Sequence, residues 1–220
     1  MRTMIVKTLY GSKLYGTQTE DSDTDYRGVF LGDLEDLIFG DVDPYRSQVP
    51  GGDDVLYSHI TTFAKHLAKG QPEAHAILFA PREATLASSP SWEDLKNHES
   101  QIVSQNVTPY FGFMKQQLYA TEYTKNTYHA YRLSQELEEL LTIGRITYPR
   151  SNADELRELE AHPRLLEMQH YIQSQYDKCV RLLQTTSLPK EPDLQWLHGW
   201  VMATYRLHIY CHLSKTQCLR

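Results

Sequence analysis

Cysteine is scarce in this chain, and the few that occur are not arranged in pairs. Cys179, Cys211 and Cys218 show no C-x-x-C spacing and cannot all pair within one chain. This excludes a fold built on disulfide bonds and favours a reducing compartment. No apolar run approaches the ~20 residues needed to cross a bilayer, and the opening MRTMIVK lacks the features of a signal peptide. The sequence therefore predicts a cytoplasmic protein with no membrane partner.

Other common functional patterns are missing as well. There is no G-x-x-x-x-G-K-[ST] loop, which excludes P-loop chemistry, and no internal repeat. The formal net charge of −6 is uneven, with −7 in residues 1–106 and +1 in residues 107–220. An acidic first half argues against a broad electrostatic contact with nucleic acid there. It is compatible with a nucleotide site, because bound metal ions reverse the local charge.

The clearest functional feature that is present is a glycine-serine turn followed by two closely spaced aspartates. Gly11 and Ser12 precede Asp23 and Asp25. If Asp25 lies on a strand, the two carboxylates project from the same side, since side chains alternate with period two. Such a pair makes a poor hydrophobic core and a good cation site, while a glycine turn lets backbone N–H groups approach a phosphate. The pattern indicates a site for a metal-chelated nucleoside triphosphate, with an acidic hairpin turn as the alternative.

The hydrophobic pattern changes along the chain from strand-like to helical. Strands are predicted at 4–10, 25–31 and 54–58, with a turn-rich loop over residues 40–52. Helical periodicity starts at Ile60. Further helices are predicted near residues 73–79, 109–123, 125–143, 152–160, 164–186 and 191–214. We therefore expect an α/β (α+β) protein, with a small mixed-sheet core in residues 1–105 and a helical bundle in residues 106–220.

The run GSKLYGTQTEDSDTDYRGVF resembles the G-S…D-x-D signature of the polymerase-β-type nucleotidyltransferases. Its Ser-Asp-x-Asp-Tyr-Arg-Gly-Val form is similar to the branch described as predicted, or RNA-ligase-associated, nucleotidyltransferases of RNA repair. The flanking residues that strengthen the likeness are Tyr15, Gly16, Ser22, Arg27 and Gly28. The resemblance implies a nucleotidyltransferase core sheet followed by a helical portion.

A third carboxylate is expected on a neighbouring strand, because enzymes of the two-metal type hold their ions with three. Asp54 opens the third predicted strand, and Asp53 is the alternative. The resemblance favours Asp54, since the family's Asp-(x)8-Phe spacing matches Asp54 and Phe63. The later run LAKGQPEAHAILFAP departs from the family pattern, so Gln71 and Glu73 are not assigned to the site.

The resemblance implies two divalent ions, Mg²⁺ or Mn²⁺, and a nucleoside triphosphate substrate. Asp23 and Asp25 would bind both ions and Asp54 the ion nearest the acceptor. Ser12 would contact a phosphate, and Lys13 or Arg27 would add positive charge. Alternatively, Arg27 is an internal ion-pair partner of Asp23 or Asp25. The nucleotide-binding residues implied in this half are Gly11, Ser12, Lys13, Tyr15, Gly16, Ser22 and Arg27.

A second group of candidate residues lies in the helical half. Lys125, His129 and Arg132 are spaced i, i+4, i+7 and share one helix face. A Lys…His-x-x-Arg-Leu helix followed by a glycine also belongs to the resemblance, which makes these three candidates for nucleotide contacts. Stacking of a nucleobase on Tyr128 or Tyr131 would suit the same face. The alternative is a solvated basic face paired with Glu122 or Glu136.

The expected reaction is transfer of a nucleoside monophosphate to a hydroxyl acceptor with release of pyrophosphate. The resemblance favours an RNA or tRNA end as the acceptor. Two alternatives remain open: a non-catalytic nucleotide-binding regulatory module, and a toxin–antitoxin type enzyme that adds AMP to a protein. The sequence makes no prediction about the oligomeric state.

Overall fold

The computed structural model describes residues 2–32, 36, 44–48 and 53–217. Five strands form one mixed sheet in the order β3-β4-β2-β1-β5. Their bounds are β1 Thr3–Tyr10, β2 Asp25–Leu31, β3 Tyr45–Gln48, β4 Asp54–His59 and β5 Thr85–Ser88. β2 and β4 run parallel, whereas the other neighbours are antiparallel. The three predicted strands are confirmed, to within one residue at each end.

The two edge strands were not predicted. β3 lies inside the expected loop, whose residues 40–43 and 49–52 are outside the described ranges, and β5 lies in a segment for which no element was predicted. Each strand is four residues long, and the sequences YRSQ and TLAS do not show a buried face. They are strands because they pair with β4 and β1 respectively. Such pairing depends on tertiary context, which a local pattern does not carry.

Ten α-helices are seen within the described residues. Their bounds are α1 Gly11–Tyr15, α2 Ile60–Ala68, α3 Pro72–Phe79, α4 Pro90–Asn97, α5 Glu99–Ile102, α6 Thr108–Gln117, α7 Lys125–Ile143, α8 Ala153–Ala161, α9 Leu165–Leu182 and α10 Leu194–Gln217. α7 begins and ends where the periodicity predicted. α1 replaces part of the predicted glycine-serine turn, and α4 and α5 lie in a segment for which no helix was predicted. The predicted α+β class, a mixed sheet followed by helices, is confirmed.

One hydrophobic cluster extends from the sheet into the helices, from Ile5 to Tyr205. α10 also contacts the first half of the chain through hydrogen bonds. The indole nitrogen of Trp200 donates to the Ser91 carbonyl at 2.7 Å, and the Tyr205 hydroxyl lies 2.8 Å from Nε2 of His59. The division of the chain into two domains at residue 105 stays a prediction. None of the helices in the described part of the chain is long and apolar enough to span a bilayer.

A buried histidine joins the sheet half to the helical half. His75 of α3 lies 3.1 Å from the Tyr110 hydroxyl of α6, and the two rings stack at 5.9 Å. Both side chains are buried. Burial lowers the pKa of His75 from 6.5 to about 4, because the surroundings disfavour the charged imidazole. His75 is therefore neutral in the folded protein at physiological pH.

This histidine makes folding stability depend on pH. The unfolded chain protonates His75 near pH 6.5 and the folded chain near pH 4, so stability is complete above the first value and falls as pH drops towards the second. The loss attributable to His75 is about 3 kcal/mol. Denaturant unfolding from pH 7.5 to 4 should show a shallower decline for His75→Phe than for the wild type. Parallel curves would contradict this assignment.

Candidate active site

Two of the predicted carboxylates are brought together by the parallel pairing of β2 and β4. Asp25 and Asp54 are the first residues of these strands and are direct partners in the register. The Asp54 N–H donates to the Thr24 carbonyl at 3.2 Å, which fixes the start of the pairing. Side chains directly opposite each other point to the same face of a sheet. The two carboxylates are therefore neighbours on one face.

Gly11 allows the Asp25 carboxylate to lie against the start of α1. β1 ends at Tyr10, which is the register partner of Asp25, and Gly11 follows with a φ of +60°. A Cβ at this position would lie 2.1 Å from Oδ2 of Asp25. Glycine is required here both by the left-handed backbone and by the close approach of the carboxylate.

A cavity of about 850 Å³ lies over this edge of the sheet. It is lined by β1, β2, β4 and the segment that precedes β2, together with α1, α3, α6, α7 and α8. Eleven of the predicted site residues line it: Gly11, Ser12, Tyr15, Ser22, Asp23, Asp25, Arg27, Asp54, Lys125, His129 and Arg132. Asp53, the alternative third carboxylate, is exposed and is not among the lining residues.

Lys13 and Gly16 do not line the cavity and instead support α1. The Lys13 ammonium donates to the Thr24 hydroxyl. Gly16 ends α1 with a φ of +83°, and a Cβ there would lie 2.9 Å from Cβ of Pro149. The contacts of these two residues therefore stabilise the position of α1 beside the cavity.

The carboxylates are in an environment that suits a cation. Burial raises the pKa of Asp25, and the charges of Asp54 and Asp23 raise it further, while Arg27 and Lys125 act in the opposite direction. Oδ1 of Asp54 is buried and has no hydrogen-bond partner. A divalent cation would relieve both the repulsion and the unsatisfied oxygen.

Arg27 forms ion pairs, although its partners are Asp54 and Glu73 and not Asp23 or Asp25. Its Nη2 lies 3.2 Å from Oδ2 of Asp54, and its Nε lies 3.5 Å from Oε1 of Glu73. The guanidinium also covers the ring of Tyr10 at 4.7 Å. Glu73 is therefore part of this site, although the sequence left it unassigned. Arg27 and Glu73 are far apart along the chain, and no local pattern relates them.

Arg132 is buried and paired rather than solvated. Its Nη1 lies 2.5 Å from Oε1 of Glu136, and the two side chains are 6% and 1% exposed. The guanidinium stacks 3.9 Å above the ring of Tyr15. The pairing with Glu136 that the sequence offered as an alternative is present, but Arg132 itself is buried and not solvated. Arg132 is therefore largely neutralised by Glu136, and its stacking on Tyr15 holds α7 against α1.

Lys125 and His129 occupy the same wall with different environments. The Lys125 side chain is 71% exposed and lies 3.4 Å from Oε1 of Glu160. Nδ1 of His129 is buried without a partner. Burial, together with the charges of Arg132 and Lys125, lowers the pKa of His129 to about 4. At neutral pH these two residues therefore present one exposed cation and one neutral imidazole to the cavity.

Three carboxylates with oxygen donors are a ligand set that suits Mg²⁺ or Mn²⁺. Within the described ranges, no three His, Cys, Asp or Glu side chains already stand as a formed metal site. The unpartnered oxygen of Asp54 and the mutual repulsion of the carboxylates nevertheless fit a bound cation. The residues that would hold it are Asp23, Asp25 and Asp54.

Comparison with known proteins agrees with this geometry. Residues 3–174 match the sequence model of the RNA repair pathway DNA polymerase beta family. That match covers more than half of the chain, and the chain belongs to this family. The resemblance to polymerase-β-type nucleotidyltransferases, inferred from the glycine-serine and aspartate motifs, is confirmed.

Two further similarities are more limited. An uncharacterized 38.9 kDa protein in the nrdC-mobD intergenic region of Enterobacteria phage T4 is 30% identical over 125 residues, which cover 51% of this chain and 37% of that protein. The aligned part thus spans little more than a third of the relative. A nucleotidyltransferase-like protein from Exiguobacterium sibiricum 255-15 aligns over 83% of this chain and 69% of its own, with 11% identity and a TM-score of 0.30. That likeness is too distant to support a conclusion.

Gly11→Ala should disrupt the site and destabilise the fold. The new methyl group would overlap Oδ2 of Asp25 and force a left-handed backbone onto alanine. We expect a loss of about 1–3 kcal/mol in the free energy of unfolding. Gly112→Ala in α6 is the matched control, because its Cβ would meet nothing within 4 Å and helix propensity should make it neutral or stabilising. Equal effects of the two substitutions in denaturant titrations would contradict the argument.

Glu136→Ala should cost about 3–5 kcal/mol of unfolding free energy, because it leaves the Arg132 charge buried without its partner. The double variant Arg132→Met/Glu136→Leu should lose much less, since no buried charge remains. Glu167→Ala serves as the control, because its ion pair with Arg164 is exposed and should contribute under about 1 kcal/mol. Thermal or denaturant unfolding of the three variants provides the measurement, and a small effect of Glu136→Ala would refute the pairing.

Proposed function

We propose that this protein is a metal-dependent nucleotidyltransferase that moves a nucleoside monophosphate from a nucleoside triphosphate to a hydroxyl acceptor. The observation that carries the proposal is the register of Asp25 opposite Asp54 in one cavity with Asp23 and Ser12. Membership of the RNA repair pathway DNA polymerase beta family supports it. The words RNA repair in that description favour an RNA end, such as a tRNA end, as the acceptor. The proposal also includes a cytoplasmic location.

The reaction requires an oxygen nucleophile, a phosphorus centre and a leaving group in line. The acceptor oxygen forms a bond to the α-phosphorus, the bond from that phosphorus to the β-phosphate oxygen breaks, and pyrophosphate leaves, while the hydroxyl proton passes to water. Bound Mg²⁺ or Mn²⁺ would lower the pKa of the acceptor hydroxyl and neutralise the pyrophosphate charge. Most of the remaining acceleration comes from positioning and charge stabilisation.

The side chains divide this work between them. Asp23, Asp25 and Asp54 hold the cations, and Arg27 fixes the orientation of the Asp54 carboxylate through its 3.2 Å ion pair. The Ser12 hydroxyl, on the cavity wall next to Gly11, donates to a phosphate oxygen.

Positive charge for the triphosphate comes from the helical half. Lys125 is exposed at the cavity wall, and its ion-pair partner among the described residues is Glu160, so it can move onto a phosphate. Arg157 of α8 lines the same cavity, where its Nη1 lies 2.8 Å from Oδ1 of the exposed Asp154 and its Nη2 donates to the Gly16 carbonyl at 3.2 Å. Both cations are on helices that follow the sheet in sequence, so the triphosphate would be bound between the two halves of the chain.

Asp54→Asn and Asp53→Asn form a matched pair that tests the proposed chemistry. The first removes a charge from the cavity, and the second removes the same charge from the exposed neighbouring residue. With Mg²⁺, an RNA fraction and each nucleoside triphosphate, Asp54→Asn should lower pyrophosphate release about a hundredfold or more. Asp53→Asn should stay within about twofold of the wild type. Equal losses, or pyrophosphate release that persists in Asp54→Asn, would reject the assignment.

The acceptor is identified in the same reactions with an α-labelled nucleotide. Incubation in lysate followed by ribonuclease or protease treatment reports which polymer carries the label. Label that is lost to ribonuclease supports an RNA acceptor, and label that is lost to protease supports AMP transfer to a protein. Metal-dependent nucleotide binding without turnover on any acceptor would favour the regulatory module.

A further inference from the structure

The cavity is lined by two chemically different groups of side chains. Asp23, Asp25 and Asp54 form the carboxylate group, and the other group is an apolar wall. Four side chains form that wall: Pro72 and Ala76 from α3, Phe113 from α6 and Leu133 from α7. A volume of about 850 Å³ falls within the range of about 300–1,000 Å³ that is typical of small-ligand sites. A nucleotide has the same polarity, with a charged phosphate chain and a flat base of low charge.

Phe113 is the aromatic side chain among the four that form this wall. It is partly buried against the core and lines the cavity. Among the aromatic rings that the structure describes, it has no stacking partner. Tyr131, by contrast, stacks on Tyr171 at 4.3 Å and donates its hydroxyl to Glu155. Tyr128 is only 2% exposed. The base stacking expected for these tyrosines is therefore better supplied by Phe113 of the neighbouring helix.

His129 adds a directional polar group beside this surface. It lies one helical turn before Leu133 on α7, so the two side chains share a face. Its Nδ1 is buried and lacks a partner, which leaves a hydrogen-bonding position unused in the free protein. Arg132 and Lys125 on the same helix disfavour a further positive charge on the imidazole. In a neutral imidazole one ring nitrogen donates a hydrogen bond and the other accepts one. Nδ1 therefore offers one directional hydrogen bond, which is the kind of contact that distinguishes base edges.

We propose that Phe113 and Leu133 hold the nucleobase of the triphosphate, and that Nδ1 of His129 makes its selective hydrogen bond. This inference rests on the proposed function, because the phosphates must lie against the carboxylates if the base is to contact the apolar side chains. It assigns base stacking to α6 and base discrimination to α7. The stacking role of Phe113 was not predicted from the sequence.

The test compares ligands that carry or lack a base. Inorganic tripolyphosphate and the four nucleoside triphosphates are titrated calorimetrically, with Mg²⁺, into the wild type, Phe113→Leu and Phe113→Tyr. Phe113→Leu should weaken binding of the nucleotides about 10- to 100-fold, because it keeps apolar volume and loses the ring face. Phe113→Tyr should bind like the wild type, and tripolyphosphate affinity should be the same in all three proteins. Tyr119→Ala, at a ring that is 78% exposed, is the control.

The contribution of His129 is measured by how strongly the affinities of the four nucleoside triphosphates differ from one another. His129→Ala should bring the affinities of the four nucleotides closer together, and His129→Asn, which keeps a polar atom near the position of Nδ1, should restore part of the difference. Nucleotide affinity that is unchanged in Phe113→Leu, or equal to that of tripolyphosphate in the wild type, would overturn the base site while leaving the phosphate site intact. Failure of both ligand types to bind the wild type would reject the proposed function itself.

Discussion

The repulsion between Asp25 and Asp54 is the constraint on which the rest of the site depends. Parallel strands in register bring the two carboxylates side by side, and like charges directly opposite each other destabilise a sheet. Arg27 compensates for part of this cost through one oxygen of Asp54. The other oxygen is left unsatisfied, so this edge of the sheet is organised around positive charge that the chain itself does not fully supply.

The glycine-serine segment serves this arrangement in two ways. Gly11 lets the Asp25 carboxylate approach the backbone, and Tyr15 supports the Arg132 guanidinium from the helical half. Arg132 is in turn neutralised by Glu136 within the same helix. The conformation of α1 is thus determined from both sides, by the sheet that it follows and by the helix that packs over it.

The sequence predicted those parts that depend on local pattern. The strand-like run DYRGVFL located β2 to the residue, and the helical pattern did the same for α7. The edge strand β5 was missed because its pairing with β1 is non-local. Arg27 was recognised as a candidate, yet its partners depend on the register of β4 and on the position of α3. Phe113 had no signal at all, since an aromatic residue in a helix is ordinarily a core residue and only the shape of the cavity distinguishes it.

Two hydrogen bonds from the helical half stabilise the C-terminal end of α1. The Arg150 N–H donates to the Tyr15 carbonyl at 2.9 Å, and Arg157 of α8 donates to the Gly16 carbonyl at 3.2 Å. Movement of α8 would consequently shift the segment that carries Ser12. Any ligand that shifts α8 would therefore change the affinity of a ligand bound beside Ser12. By linkage, the second ligand would change the affinity of the first by the same factor.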